Sequence, residues 1–273
     1  MTVPAAGDRA ALWLPLLRQL TGTFPRWAVW KNVESALAGH GDVDSFAPPA
    51  DWPAIEQIFL DWVRSNRLGP AIVCRHIPQG PHFVTWENHS PYLLQLDVKR
   101  LGTFRGSALI DVDDLARLSE LDERSFRRIR PGAEGVLKLV YNGLNPGGRR
   151  NPAGLAAKRV IQLLEQDPEG VRLAARLFGP AAPAVRAGVA AVLRGEWNRP
   201  AMLVVEAWAL GRSPAQPREL AGRVWLNLVG KKRCPVLQVI RERDRRLPED
   251  REAWLREVAA THVIRGWPVA APA

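Results

Sequence analysis

Hydrophobic and polar positions follow two rhythms along this chain, a mixed one up to about residue 146 and a helical one after it. Leu12, Trp13, Leu16, Leu17 and Leu20 recur at helical spacing, with Asp8 as the N-cap and Pro15 as the place where the helix starts late or kinks. WAVW (27–30) then reads as a short strand, Lys31-Asn32 as a polar corner, and 33–38 as a helix. A glycine turn follows, and a second strand that carries GDVDS. PPADWPAIEQIFLDWVRSNRLG predicts a helix, with Asp51 as cap, Pro53 in its first turn and Gly69 at its end. Its apolar stripe is Ile55, Ile58, Phe59 and Trp62. Strand-like runs at 71–77, 82–87 and 92–99 are separated by PQGP and NHSP, as in an antiparallel meander, and 111–121 and 131–144 predict two more helices.

After residue 151 the pattern is helical almost throughout: 152–166, 168–178, 182–194, 200–210 and 216–229, joined by short connections that favour antiparallel packing. CPVLQVI (234–240) reads as a strand or as a helix from Pro235, 248–261 as a helix, and the closing PVAAPA as disordered. The expected architecture is α+β: a mixed sheet with flanking helices over 1–146, then a mainly helical domain over 147–273. At 273 residues, 47% hydrophobic and with 11 Trp, the chain can bury such cores.

Charge adds a division along the chain. Up to Pro146 there are 16 Lys+Arg against 16 Asp+Glu; from Gly147 on there are 22 against 12, so the second half carries the whole net charge of +10. Such an excess is expected either of an anionic partner, nucleic acid included, or of an Arg-, Ala-, Pro- and Gly-rich composition by itself. KKR (231–233) and RERDRR (241–246) are either a basic rim for a phosphate-bearing substrate or a solvated turn. Cys74 and Cys234 lie far apart and have no metal-ligand spacing, which leaves a disulfide unsupported. With no basic leader before an apolar run and no stretch near 18 apolar residues, a soluble cytoplasmic protein without a membrane partner is expected.

Candidate chemistry centres on three carboxylates. Asp42 and Asp44, two apart on a strand, share one face while Val43 points the other way. Asp97 sits in the alternating run PYLLQLDVK, where a lone buried acid is costly. If the two strands are neighbours, the acids form one cluster whose repulsion a divalent cation resolves; otherwise GDVDS is an exposed Gly/Asp turn. Without a metal, the cluster is expected to raise at least one carboxylate pKa, so that an Asp-to-Asn change leaves the fold as stable or more stable.

A strand, a polar corner with a short helix, a DxD strand and a later strand with a single Asp resemble the DNA polymerase beta-like nucleotidyltransferase superfamily over about residues 26–143. Lys31-Asn32 stands where that family has a Gly-Ser pair. The resemblance implies Mg²⁺ or Mn²⁺ held by Asp42, Asp44 and Asp97, and transfer of a nucleotidyl group from a nucleoside triphosphate to an acceptor hydroxyl. Asp97 would help to activate the acceptor, and Lys31 and Asn32 would hold phosphate, with Asn32 also able to cap the helix. A helix after the third acid lines the nucleotide pocket in similar enzymes, which makes Lys138 a nucleotide-binding candidate, although Glu134 four residues earlier also offers it a surface ion pair. A non-catalytic module of this fold that binds RNA or another anionic partner is the alternative. His76 ends a strand, and His82 and His89 flank a turn and look exposed. The chain has no Ser/His/Asp motif, P-loop, dinucleotide fingerprint or HExxH.

Overall fold

A computed structural model of the chain describes residues 9–39, 41–75, 79–88, 90, 92–143, 155–225, 228, 236, 247–260 and 262–265. It is a mixed α+β protein whose contacts divide into two compact units. The first draws on Met1–Arg100, Glu123–Arg127 and Val224–Ala273, the second on Leu101–Asp122 and Arg128–Arg223, so the units interleave along the chain instead of meeting at residue 146.

In chain order the first unit opens with α1 (Ala10–Thr23), β1 (Ala28–Lys31), α2 (Val33–Leu37), β2 (Val43–Phe46), α3 (Trp52–Ser65), β3 (Ala71–Cys74), β4 (His82–Trp86) and β5 (Leu93–Lys99). α1 runs through Pro15, with Arg9 in the capping position, and the expected cap Asp8 lies outside the described residues. β1 and β2 are antiparallel, β2 and β5 parallel, and β5, β4 and β3 form the expected antiparallel meander.

The second unit begins with a hairpin that the hydrophobic pattern did not predict: β6 (Leu101–Phe104) and β7 (Ser107–Asp111), turning at Arg105 and Gly106, both with positive φ (54° and 86°). Where one helix was expected over 111–121, α4 (Val112–Arg117), with a capping box between Asp111 and Asp114, gives way to β8 (Ser119–Leu121), which pairs with β9 (Arg127–Ile129). Then come α5 (Pro131–Gly143), α6 (Leu155–Gln166), α7 (Pro168–Ala175), a 3₁₀ segment (Arg176–Ala181), α8 (Ala182–Leu193), α9 (Arg199–Arg212) and α10 (Pro217–Trp225). α5 packs on α6 and α7. Asp167 caps α7 through Gly170 N–H (3.0 Å), accepts from Gly132 N–H (3.2 Å) and is forked by Arg130. A Cβ on Gly132 would lie 1.9 Å from the Asp167 carbonyl oxygen, so only glycine permits this approach.

α11 (Arg251–Ala259) and β10 (Val263–Arg265) return to the first unit, where β10 pairs with β3. The sheet of that unit therefore has the order β10-β3-β4-β5-β2-β1. Its two faces differ. One carries Val29, Val43, Val73, Phe83, Leu94, Leu96 and Val98 into a core closed by α1 and α3. The other carries Ile72, Cys74, Val84, Trp86 and Leu93, covered by Trp254, Leu255 and Val258 of α11. Cys74 is buried there, and Cys234 lies outside the described residues, as do KKR, RERDRR and PVAAPA. No helix among the described residues is long and apolar enough to cross a membrane.

Candidate functional site

On the α11-covered face of the sheet, cross-strand pairing sets up a row of polar side chains. Cys74 pairs with His82, His82 with Asp97, Asp97 with Asp44, and Asp44 with Lys31. Directly paired residues project to the same side of a sheet, so five strands present one continuous row. Asp42, two residues before Asp44, and Gln95 and Lys99, two residues either side of Asp97, join the same face. The structure thus brings Asp42, Asp44 and Asp97 together, each offering an oxygen within 4.8 Å of the others. Asp44 and Asp97 are buried, and Asp42 is 9% exposed.

Two lysines already balance these acids. Lys99 Nζ lies 2.6 Å from Asp44 Oδ1 and 3.2 Å from Asp97 Oδ2. Lys31 Nζ lies 3.3 Å from Asp44 Oδ2 and stacks over the Trp30 ring at 4.8 Å. Asp97 Oδ1 accepts from Gln95 Nε2 and meets Nδ1 of His82. His82 is buried on β4, a correction to the exposed position its place beside a turn implied; His76 and His89 lie outside the described residues.

These neighbours reverse the electrostatics expected of a bare acid cluster. Burial pushes the Asp44 carboxyl up, but Lys31 and Lys99 outweigh it, against repulsion from Asp97, and the group stays below the usual carboxylate range. Burial also pushes Asp97 up, and His82 and Lys99 more than offset that, so Asp97 too is held well below the usual range. Lys99, disfavoured by burial, is pushed well above the ordinary lysine value by Asp44 and Asp97. The raised carboxylate pKa expected from the sequence is not found in either buried acid, because the repulsion is relieved by ammonium groups.

Asn32 departs from its expected role as a helix cap. It has a left-handed backbone (φ 65°), makes no side-chain cap bond to α2, and donates from Nδ2 to Asp44 Oδ2 at 3.1 Å. An N-cap side chain ordinarily works from extended backbone, and the left-handed turn aims this one at the carboxylate instead. Lys138 belongs to the second unit, on α5, where it pairs with Glu134 at 2.8 Å. That pairing is not at the surface: Glu134 is buried and also binds Arg128, which reaches Asp122.

Lys99 and Gln95 were legible as same-face neighbours of Asp97, by the spacing that linked Asp42 to Asp44. Nothing in the sequence marked His82, whose place depends on the β4–β5 register. The donor set suits a hard divalent cation, being all carboxylate oxygen on rigid strands and close enough to share one ion. No family model matches this chain, and no curated protein or solved structure matches it either.

Proposed function

We propose that this protein is a nucleotidyltransferase-like enzyme that uses Mg²⁺ or Mn²⁺ at Asp42, Asp44 and Asp97 to transfer a nucleotidyl group from a nucleoside triphosphate to an acceptor hydroxyl. The observation that carries this reading is the convergence of Asp44 on β2, Asp97 on the adjacent parallel strand β5, and Asp42 just before β2, beside the β1–α2 corner. When bound, the cation would supply Lewis-acid polarisation of the phosphate oxygens. The chain does the positioning. Lys31, its side chain 31% exposed, can turn its ammonium from Asp44 to a phosphate, and the Asn32 amide fixes Asp44 while it does so. Held ionised, Asp97 is a weak base, so its part would be to help hold the cation beside the acceptor hydroxyl, not to keep that hydroxyl's proton. The acceptor oxygen bonds to the α-phosphorus, the bond to the β-phosphate bridge breaks, pyrophosphate leaves with the electron pair, and the proton ends on bulk water. Such transfer asks mainly for alignment and charge stabilisation.

Calorimetry with ATP, CTP, GTP and UTP tests this reading. At least one should bind, only with Mg²⁺, and Asp42→Asn/Asp44→Asn should weaken it at least tenfold. No binding to the wild type, or equal binding to the variant, would sink it.

The lysine neutralisation of the acids favours a second reading, a non-catalytic module of the same fold that meets RNA through the basic residues of 147–273. It predicts affinity for generic RNA that falls steeply between two salt concentrations and is unchanged by Asp97→Asn. A gel-shift series in which Asp97→Asn abolishes binding would contradict it.

A further inference from the structure

We propose that the cluster takes one divalent cation and not a pair, with Lys99 serving as the permanent second cation. This rests on the metal-dependent reading above and goes further, since a carboxylate triad of this kind could otherwise clamp two ions about 3.5–4 Å apart.

The lone pairs limit the site. An ionised carboxylate offers about four acceptor positions over its two oxygens. Asp97 Oδ1 is taken up by His82 and Gln95, and Asp44 Oδ2 by Asn32 and Lys31. What is left is Asp44 Oδ1 and Asp97 Oδ2, the two oxygens that Lys99 bridges. Each keeps a single position beyond its contact with Lys99, which with Asp42 suffices for one ion. A second ion would need the positions that Lys99 holds.

Charge leads to the same count. Three carboxylates and two ammonium groups leave a net charge of −1, and one divalent ion brings it to +1. A second divalent ion beside both lysines would raise it to +3. Lys99 is anchored for this part: it follows Asp97 by two residues on β5, so its side chain shares that face, and the chain beyond it is tied back by Ala47 N–H donating to its carbonyl oxygen at 3.0 Å. The Trp30 ring, 5.9 Å from Nζ, adds a second fixed wall.

Mn²⁺ alone is the probe, counted by titration of the wild-type chain followed by electron paramagnetic resonance, with Lys99→Gln and Lys99→Arg alongside and folding checked by circular dichroism. The expected counts are one Mn²⁺ per chain in the wild type, one in Lys99→Arg, and two spin-coupled ions in Lys99→Gln. Two ions in the wild type, or one in a folded Lys99→Gln, would overturn the proposal and leave the metal-dependent reading intact. No ion in either the wild type or Lys99→Gln would sink that reading, and this proposal with it. Should Lys99→Gln fail to fold, the wild-type count still decides, with one ion supporting and two contradicting.

Discussion

At Asp97, three donors from two strands fix both the charge state and the consequence of losing it. His82 and Gln95 crowd one oxygen and Lys99 holds the other, all within a buried row. Removing one partner of a buried pair typically costs about 3–5 kcal/mol, because the other charge is left behind. Asp97→Asn should therefore lower stability at pH 7 by about that much in urea melts, the opposite of what repulsion among bare acids implies. A variant as stable as wild type would refute the lysine-neutralised cluster. The pH dependence follows from the direction of the shifts. A carboxylate held below its unfolded pKa stabilises the fold fully above about pH 4, and that contribution drains away as pH falls toward the folded value. Lys99, held above its ordinary value, contributes fully below about pH 10. The gap between wild type and Asp97→Asn should thus be widest between those limits and narrow below pH 4, by up to about 1.4 kcal/mol per pH unit. A gap that stays constant down to pH 2 would count against it.

Among the elements, the β1–α2 corner and the start of α7 each depend on one polar residue. Asn32 combines left-handed backbone with a bond to Asp44. Ala at that position loses both, whereas Gly regains the backbone freedom, and a left-handed residue with a Cβ costs about 1–2 kcal/mol. Asn32→Ala should accordingly melt below Asn32→Gly, and the reverse order would show that the turn is not strained. Asp167→Ala forfeits a helix cap, worth about 1 kcal/mol, and charged bonds to Arg130 worth about 1.5–3 kcal/mol. Asp167→Asn keeps one acceptor oxygen for the cap, so it should lose less than Asp167→Ala, and equal losses in the two variants would contradict this account. Periodicity made α1, α3, α5 and the helices from α6 to α10 readable, because each carries an apolar stripe. The β6–β7 hairpin escaped notice because its strands are four and five residues long and turn at Arg-Gly instead of a familiar Asn-Gly or Asp-Gly pair. β8 was absorbed into a helix since three residues are too few to show a period.

Over the whole molecule, the first unit is completed from the far end of the chain. Trp254 meets Trp86 edge-on at 6.2 Å, and with Leu255 and Val258 it covers Ile72, Val84 and Leu93. Trp254→Ala should cost about 3–5 kcal/mol, and a chain ending at Arg223 should lose cooperative unfolding of the sheet. If that shortened chain melted like the intact one, α11 would not be part of this core. Such closure was invisible in the sequence, where charge and rhythm change near residue 146, because contacts over 150 residues apart leave no local pattern. The acid cluster was legible for the opposite reason: Asp42 and Asp44 declare their common face by spacing alone, and only the β2–β5 pairing with Asp97 had to be supplied. The most direct test of the metal-dependent reading is anomalous diffraction from crystals soaked with Mn²⁺ and a non-hydrolysable nucleoside triphosphate. A single peak about 2.1 Å from oxygens of Asp42, Asp44 and Asp97 and shared with the phosphates is the predicted result. Crystals with no peak at those carboxylates, and Lys99 still bridging Asp44 and Asp97 alone, would contradict it.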